Sequence, residues 1–256
     1  MASVKDLFVR TLNRPLRRFG AEIVPAWQRQ WWRCPSAFEL GGRNFSYFYH
    51  CYNCGWPPYA TERCAELGLA DAWLNELHDT NELVEVGAVT PYYWPSRVKN
   101  VVDPFDPHKL VTLRLSLFDV DFTGKTVLSI STLEHVGLAE YGGEKSPGQA
   151  VRALRKILDE SPCFLLTVPV GYNPALDGLF FENASSVTRD AQLRFLVRTA
   201  DGQWREEIIT SDARRPYDAP GVNHGRSASA LAVLERGDLL RLGPVVGEAA
   251  GAVYAR

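Results

Sequence analysis

The stretch Thr126-Val127-Leu128-Ser129-Ile130-Ser131-Thr132-Leu133-Glu134-His135 decides the fold. Its first half is a short, nearly continuous apolar run of the kind that a strand buried on both faces requires. Its second half turns polar at once, so chemistry-bearing side chains follow directly on a buried strand. Working outward, the same pattern recurs on both sides. Upstream, Leu83-Val84-Glu85-Val86 precedes Gly87, Val98 to Val102 precedes Asp103-Pro104, and Leu110 to Leu115 forms another candidate strand. Downstream, Phe164-Leu165-Leu166-Thr167-Val168 is stopped by Pro169.

Helical spacing appears between these runs. Val151, Leu154, Ile157 and Leu158 fall on one side of a helix over 147–158, and Thr61 opens a second one with an acid in its first turn. Short buried strands alternating with helical or loop crossovers predict an α/β chain with a mostly parallel sheet and helices on both faces. Leu193 to Arg198 and Ala230 to Leu234 are read as antiparallel strands closing that sheet.

Composition fits a folded chain. Of 256 residues, 46% are hydrophobic and 23% charged, which excludes wholesale disorder. The formal net charge of -2 gives no reason to expect a nucleic-acid partner. The charge is uneven, however. Residues 1–33 hold seven basic groups against two acids, so this segment carries +5 and the remainder -7. Basic groups mixed with Phe8, Phe19, Trp27, Trp31 and Trp32 suit an anionic membrane surface. Pro15, Gly20 and Pro25 interrupt any long amphipathic helix, which favours an arm packed on its own domain or on a second subunit. Both readings stand, and self-association stands with the second.

The chain therefore divides into a basic, aromatic arm over 1–45 and an α/β domain over 46–256. Without a secretory signal or a long apolar span, the expected location is the cytoplasm, with peripheral contact at the inner face of the membrane left open. Five cysteines do not form a disulfide framework. His50, Cys51, Cys54 and Cys64 include only one C-x-x-C pair, which reads as reduced thiols in an aromatic segment rather than a metal site.

In an open parallel sheet, ligands bind beyond the carboxyl ends of the strands. Three strand ends carry candidate chemistry. Gly87 lets a ligand approach the backbone, and Asp103 is placed to accept hydrogen bonds from a ribose diol. His135 is a candidate base, because an imidazole titrates near neutrality; a loop-orienting histidine is the equal alternative. Tyr172 and Asn173 follow the strand ending at Pro169 and offer hydrogen-bonding groups suited to a sugar. His224 and Arg226, in the glycine-flanked 221–226 loop, form a second polar cluster that could close over an acceptor.

At these residues the sequence resembles a known family. The run from Leu128 to Gly137, S-I-S-T-L-E-H-V-G at its heart, is similar to the segment after the fourth strand of class I S-adenosylmethionine (SAM)-dependent methyltransferases. More narrowly, with Val168-Pro169-Val170-Gly171-Tyr172-Asn173-Pro174-Ala175-Leu176-Asp177, it resembles a bacterial methyltransferase-like family associated with surface-polysaccharide and O-antigen biosynthesis. Tyr52-Asn53 and Glu62-Arg63 match a further stretch, and the likeness runs from about residue 47 to 236.

The resemblance implies a Rossmann-like class I methyltransferase sheet with an N-terminal extension, and SAM as cofactor. Glu85 and Gly87 would then lie against the methionine part of SAM, and Asp103 against the ribose. Asp119, or second to it Asp121, would flank the adenine, while Ser129, Ser131 and Thr132 line the sulfonium side. The implied reaction is O-methylation of a sugar or glycan, free or carried on a nucleotide or lipid. Gly87 is followed by Ala88-Val89-Thr90-Pro91, without the family's further glycines. That departure supports the alternative expectation, a catalytically inactive binding or scaffolding subunit of a glycan-assembly complex. A nicotinamide-dependent enzyme ranks last, because G-x-G-x-x-G is absent.

Overall fold

Apolar runs of three to seven residues build the sheet of the computed structural model, which describes residues 35–49, 61–141, 146, 148–188, 191–200, 202–209, 217 and 228–244. In chain order the strands are β1 (Ala37–Leu40), β2 (Arg43–Ser46), β3 (Leu83–Val86), β4 (Asn100–Val102), β5 (Thr126–Ile130), β6 (Cys163–Pro169), β7 (Gln192–Arg198), β8 (Trp204–Glu206) and β9 (Ala230–Arg236). They lie side by side in the order β2-β1-β8-β7-β9-β6-β5-β3-β4. The α-helices are α1 (Glu62–Glu76), α2 (Gly148–Glu160), α3 (Pro174–Glu182) and the single turn α4 (Ser185–Thr188).

This architecture overturns the expectation of a mostly parallel, Rossmann-like sheet with helices on both faces. The sheet is mixed. Parallel pairing joins β4, β3, β5 and β6, and recurs at one residue pair between β1 and β8. The longest ladders are antiparallel: β9 runs against Phe164–Pro169 on one side and Gln192–Val197 on the other. Hairpins β1–β2 and β7–β8 are antiparallel too. Residues 37–46, assigned largely to an irregular arm by sequence, are thus strands of the sheet.

Two physical reasons account for the difference. A continuous apolar run reports burial on both faces, and β9 needs that as much as β5 does. It does not report strand direction. Proline supplies the second reason. The crossover from β3 to β4 contains Pro91 and Pro95, and that from β4 to β5 contains Pro104 and Pro107. Each removes a backbone donor and clashes with the preceding turn. These crossovers accordingly carry only 3-10 turns, at Thr90–Tyr92 and Leu117–Asp119.

Among the described residues helix cover is sparse and uneven. On one face α1 packs Leu67 and Trp73 into a core with Phe38, Phe45, Leu128 and Ile130. On the other, Leu154 and Ile157 of α2 and Phe180 of α3 cover Val127, Phe164 and Leu166. The expected strand over Leu110–Leu115 shrinks to one bridge between Leu113 and Val102. Leu115 is 45% exposed there, so nothing drives a buried strand.

The contrast is measurable. Leu166→Ala, in the fully buried centre of β6, should cost about 2–5 kcal/mol in urea unfolding. Leu115→Ala should stay within about 0.5 kcal/mol of the parent. Equal losses at both positions would contradict this assignment of core and surface.

Candidate functional site

Because Pro91 prevents a helix after β3, the amides of that turn need other acceptors. Glu85 supplies them. Its wholly buried carboxylate accepts from the Val89 amide at 3.0 Å, the Thr90 amide at 2.7 Å and the Thr90 hydroxyl. Burial nevertheless pushes its carboxyl up to about 7, against the pull of those bonds. Asp103 performs the same service between turns. Its Oδ2 accepts from the Ala88 amide at 3.2 Å, and its Oδ1 from the Phe105 and Asp106 amides, both at 2.8 Å.

The two turns so held diverge, and a cleft of about 730 Å³ opens beyond the carboxyl ends of β3, β4 and β5. That volume accommodates a nucleotide-sized molecule. Gly87, Asp103, Phe105, Ser131, Thr132 and His135 are among its walls. Gly87 adopts φ +87°, and a methyl group on it would come within 2.0 Å of Thr132 Oγ1. The close approach of the β3 and β5 turns therefore requires glycine at this position.

The far wall is built from charge withdrawn from water. Ser131 is a non-glycine residue at φ +42°, and its hydroxyl is held by Glu66 of α1. The same oxygen of Glu66 accepts from Thr167 of β6 at 2.8 Å. One buried carboxylate thus ties α1 to the tips of β5 and β6, and so fixes the start of the turn leading to His135. Arg63 stands 3.6 Å from the other oxygen of Glu66. Burial, followed by the nearby charge of Glu66, pushes Glu62 up to about 7, and burial holds Glu134 well above the usual carboxylate range.

His135 lies between two acids. Its Nδ1 is 2.7 Å from Glu140 Oε2, and its Nε2 is 3.6 Å from Glu134 Oε1. The other oxygen of Glu140 accepts from the Tyr172 hydroxyl at 2.6 Å. Burial, with Glu140 beside it, pushes the Tyr172 phenol up, so it remains a donor at neutral pH. The Tyr172 ring packs edge-on against His135 at 4.7 Å and against Tyr217 at 4.8 Å.

Gly87, Asp103, Ser131, Thr132 and His135 converge on the cleft as read from sequence. Other candidates lie elsewhere. Glu85 sits beneath the turn, outside the walls. Ser129 is buried, its hydroxyl donating to the Val86 carbonyl at 3.1 Å. Asp119 and Asp121 are both exposed, while neighbouring Leu117 and Phe118 take the wall position. Asn173 caps α3 through the Ala175 amide and donates to the Glu134 carbonyl at 2.9 Å, so it braces the His135 turn instead of facing an acceptor. His224 and Arg226 lie outside the described residues, as do His50, Cys51 and Cys54. Cys64 is buried in the α1 core. Among the described residues no cluster of His, Cys, Asp and Glu has the geometry of a metal site.

Glu66, Arg63 and Glu140 were not singled out in sequence as site residues. The first two leave a faint trace, as charges at Glu62, Arg63 and Glu66 in a helix otherwise lined by Cys64, Ala65, Leu67 and Leu69. Glu140 leaves none. Comparison with models of known protein families, with curated proteins and with solved structures finds no match.

Acids raised above their ordinary value bind protons more tightly folded than unfolded, so their contribution is present at low pH and lost as pH rises. For Glu85 the window runs from about 4.5 to about 7. The thermal midpoint should therefore fall from pH 5 to pH 8, and Glu85→Gln should make that fall shallower. An unchanged slope would count against a buried, titrating Glu85.

Proposed function

We propose that the cleft binds SAM and that the protein methylates a hydroxyl of a sugar or glycan, free or carried on a nucleotide or lipid. One observation carries this reading. His135 stands in the cleft wall with Nδ1 committed to Glu140, in a cleft that also presents the Asp103 carboxylate. The residues present suit such a cofactor: the cavity has the right size, and Asp103 offers acceptors to a diol.

When bound, SAM supplies a methyl group on a cationic sulfur. The chain's part is to place the acceptor and remove its proton. With Glu140 accepting from Nδ1–H, Nε2 becomes the ring's basic nitrogen. His135 would take the proton from the acceptor hydroxyl that the cleft holds. Glu140 then stabilises the imidazolium, and Tyr172 holds Glu140 in place.

A specific observation favours a second reading, that of a methyltransferase-like subunit that binds without turnover. The amides of Gly87, Ala88, Val89 and Thr90 are all bonded internally, to Val102, Asp103 and Glu85. The turn after β3 thus has no amide left to offer a ligand in this arrangement. As for location, among the described residues no helix is long and apolar enough to cross a membrane. On the sequence alone we propose a cytoplasmic location, with residues 1–33 meeting either protein or the inner membrane face.

Calorimetry with S-adenosylhomocysteine tests the cofactor. Wild-type protein should bind it, and Asp103→Asn should weaken binding about 10- to 100-fold, the worth of a charge-assisted hydrogen bond. Absence of binding to wild type sinks the proposal. For turnover, His135→Ala should lose about 10²–10⁴-fold in kcat while retaining cofactor affinity. Glu140→Gln should lower kcat and leave S-adenosylhomocysteine affinity unchanged, because the imidazolium formed in the transfer loses its carboxylate. Cofactor binding with no methylation of any sugar tested would select the second reading.

A further inference from the structure

We infer that the acceptor is an acidic sugar, and that Arg63 seats its carboxylate or phosphate beside the hydroxyl that His135 serves. Calling this molecule the acceptor rests on the methyltransferase reading; the anion site itself rests on Arg63. A guanidinium carries five N–H donors in a fork matched to two oxygens. Among the described residues Arg63 uses none of them in a hydrogen bond. Its closest acid is Glu66, with Nε to Oε2 at 3.6 Å, beyond normal hydrogen-bonding distance, and its Nη1 is buried without an acceptor. The side chain is only 19% exposed, and it lines the cleft. Arg194, still more withdrawn, shows what a purely structural arginine does here. It spends its guanidinium on Gln192, Glu206 and the Gly243 carbonyl.

Glu66 is also no simple counter-ion. Its Oε1 is committed to Ser131 and Thr167, while Oε2 has no hydrogen bond. The groups facing Arg63 are Glu62 and Glu66 of α1, Glu134 after β5, Tyr93 after β3 and Glu85 of β3. Burial pushes both Glu62 and Glu134 towards the neutral form, which lessens the negative charge that an anion on Arg63 would meet. Position favours the acceptor over the cofactor. Arg63 and His135 line the same cleft, and Glu134, which feels the charge of Arg63, has its Oε1 3.6 Å from His135 Nε2, so a ligand seated on Arg63 shares the cleft with the base.

Ligand-observed NMR and calorimetry on the full chain test this with glucuronate, glucose 1-phosphate, neutral glucose and S-adenosylhomocysteine. Wild type should bind at least one acidic sugar tenfold or more tightly than glucose. The preferred acid tells carboxylate from phosphate. Arg63→Met keeps the apolar stem. It should abolish the preference and leave S-adenosylhomocysteine affinity unchanged. Arg63→Lys, which keeps the charge but not the fork, should restore part of it. Ligand-free melting of both variants separates loss of the site from loss of the fold, and if Arg63→Met unfolds, Arg63→Lys carries the test.

No preference for acidic sugars in wild type overturns the proposal. So does a variant that keeps the preference, or one that loses S-adenosylhomocysteine instead, which would assign Arg63 to the cofactor. Arg63-dependent binding of an acidic sugar by a protein that takes no S-adenosylhomocysteine would retain the anion site and discard the methyltransferase reading.

Discussion

Two carboxylates answer a problem that four prolines create. Pro91, Pro95, Pro104 and Pro107 keep α-helix out of the crossovers on either side of β4, so the amides there lack the carbonyl partners of a helical ladder. Glu85 and Asp103 accept from five of those amides between them. The turns they hold are short and diverge, and the cleft is the space left between. A helix in either place would present a different wall. Glu85 bears the cost of this arrangement, since a carboxyl buried so completely is driven towards its neutral form.

How far the sequence discloses this depends on what each pattern encodes. Runs such as Leu83–Val86 and Thr126–Ile130 reveal themselves, because two-sided burial demands unbroken apolar content. The same demand makes β6, β7 and β9 visible as strands, and β9 runs antiparallel as expected of Ala230–Leu234, though inside the sheet between β6 and β7 instead of closing it. Leu110–Leu115 misleads for the opposite reason. Its leucines satisfy the pattern, yet Leu113 and Leu115 stay largely exposed and only Val111 is buried. No local rule distinguishes an apolar side chain that finds a cover from one that does not.

Site residues divide along similar lines. Gly87, Asp103, Ser131, Thr132 and His135 are legible because each follows a strand, where a sheet delivers its side chains to one rim. Glu85 and Ser129 precede that rim, and their side chains are consumed in holding it. Glu66 and Arg63 arrive from a helix about twenty residues before β3, and Glu140 from a 3-10 turn; only tertiary packing brings them to the wall. The clamp of Glu66 on Ser131 and Thr167 joins three elements at one oxygen, which is why no spacing within a single segment announces it.

The placement of β9 carries a consequence for how the chain is made. Last of the described strands in sequence, it lies in the interior of the sheet and separates β6 from β7. During synthesis the cleft-bearing strands and the β7–β8 hairpin emerge well before the strand that joins them. Until β9 arrives, β6 offers an unpaired apolar edge of the kind that invites pairing with another chain. The cleft is built by strands made earlier, yet its supporting sheet closes only once β9 has emerged. Protection of that waiting edge, by a chaperone or by rapid release, is therefore a requirement of biogenesis written into the strand order.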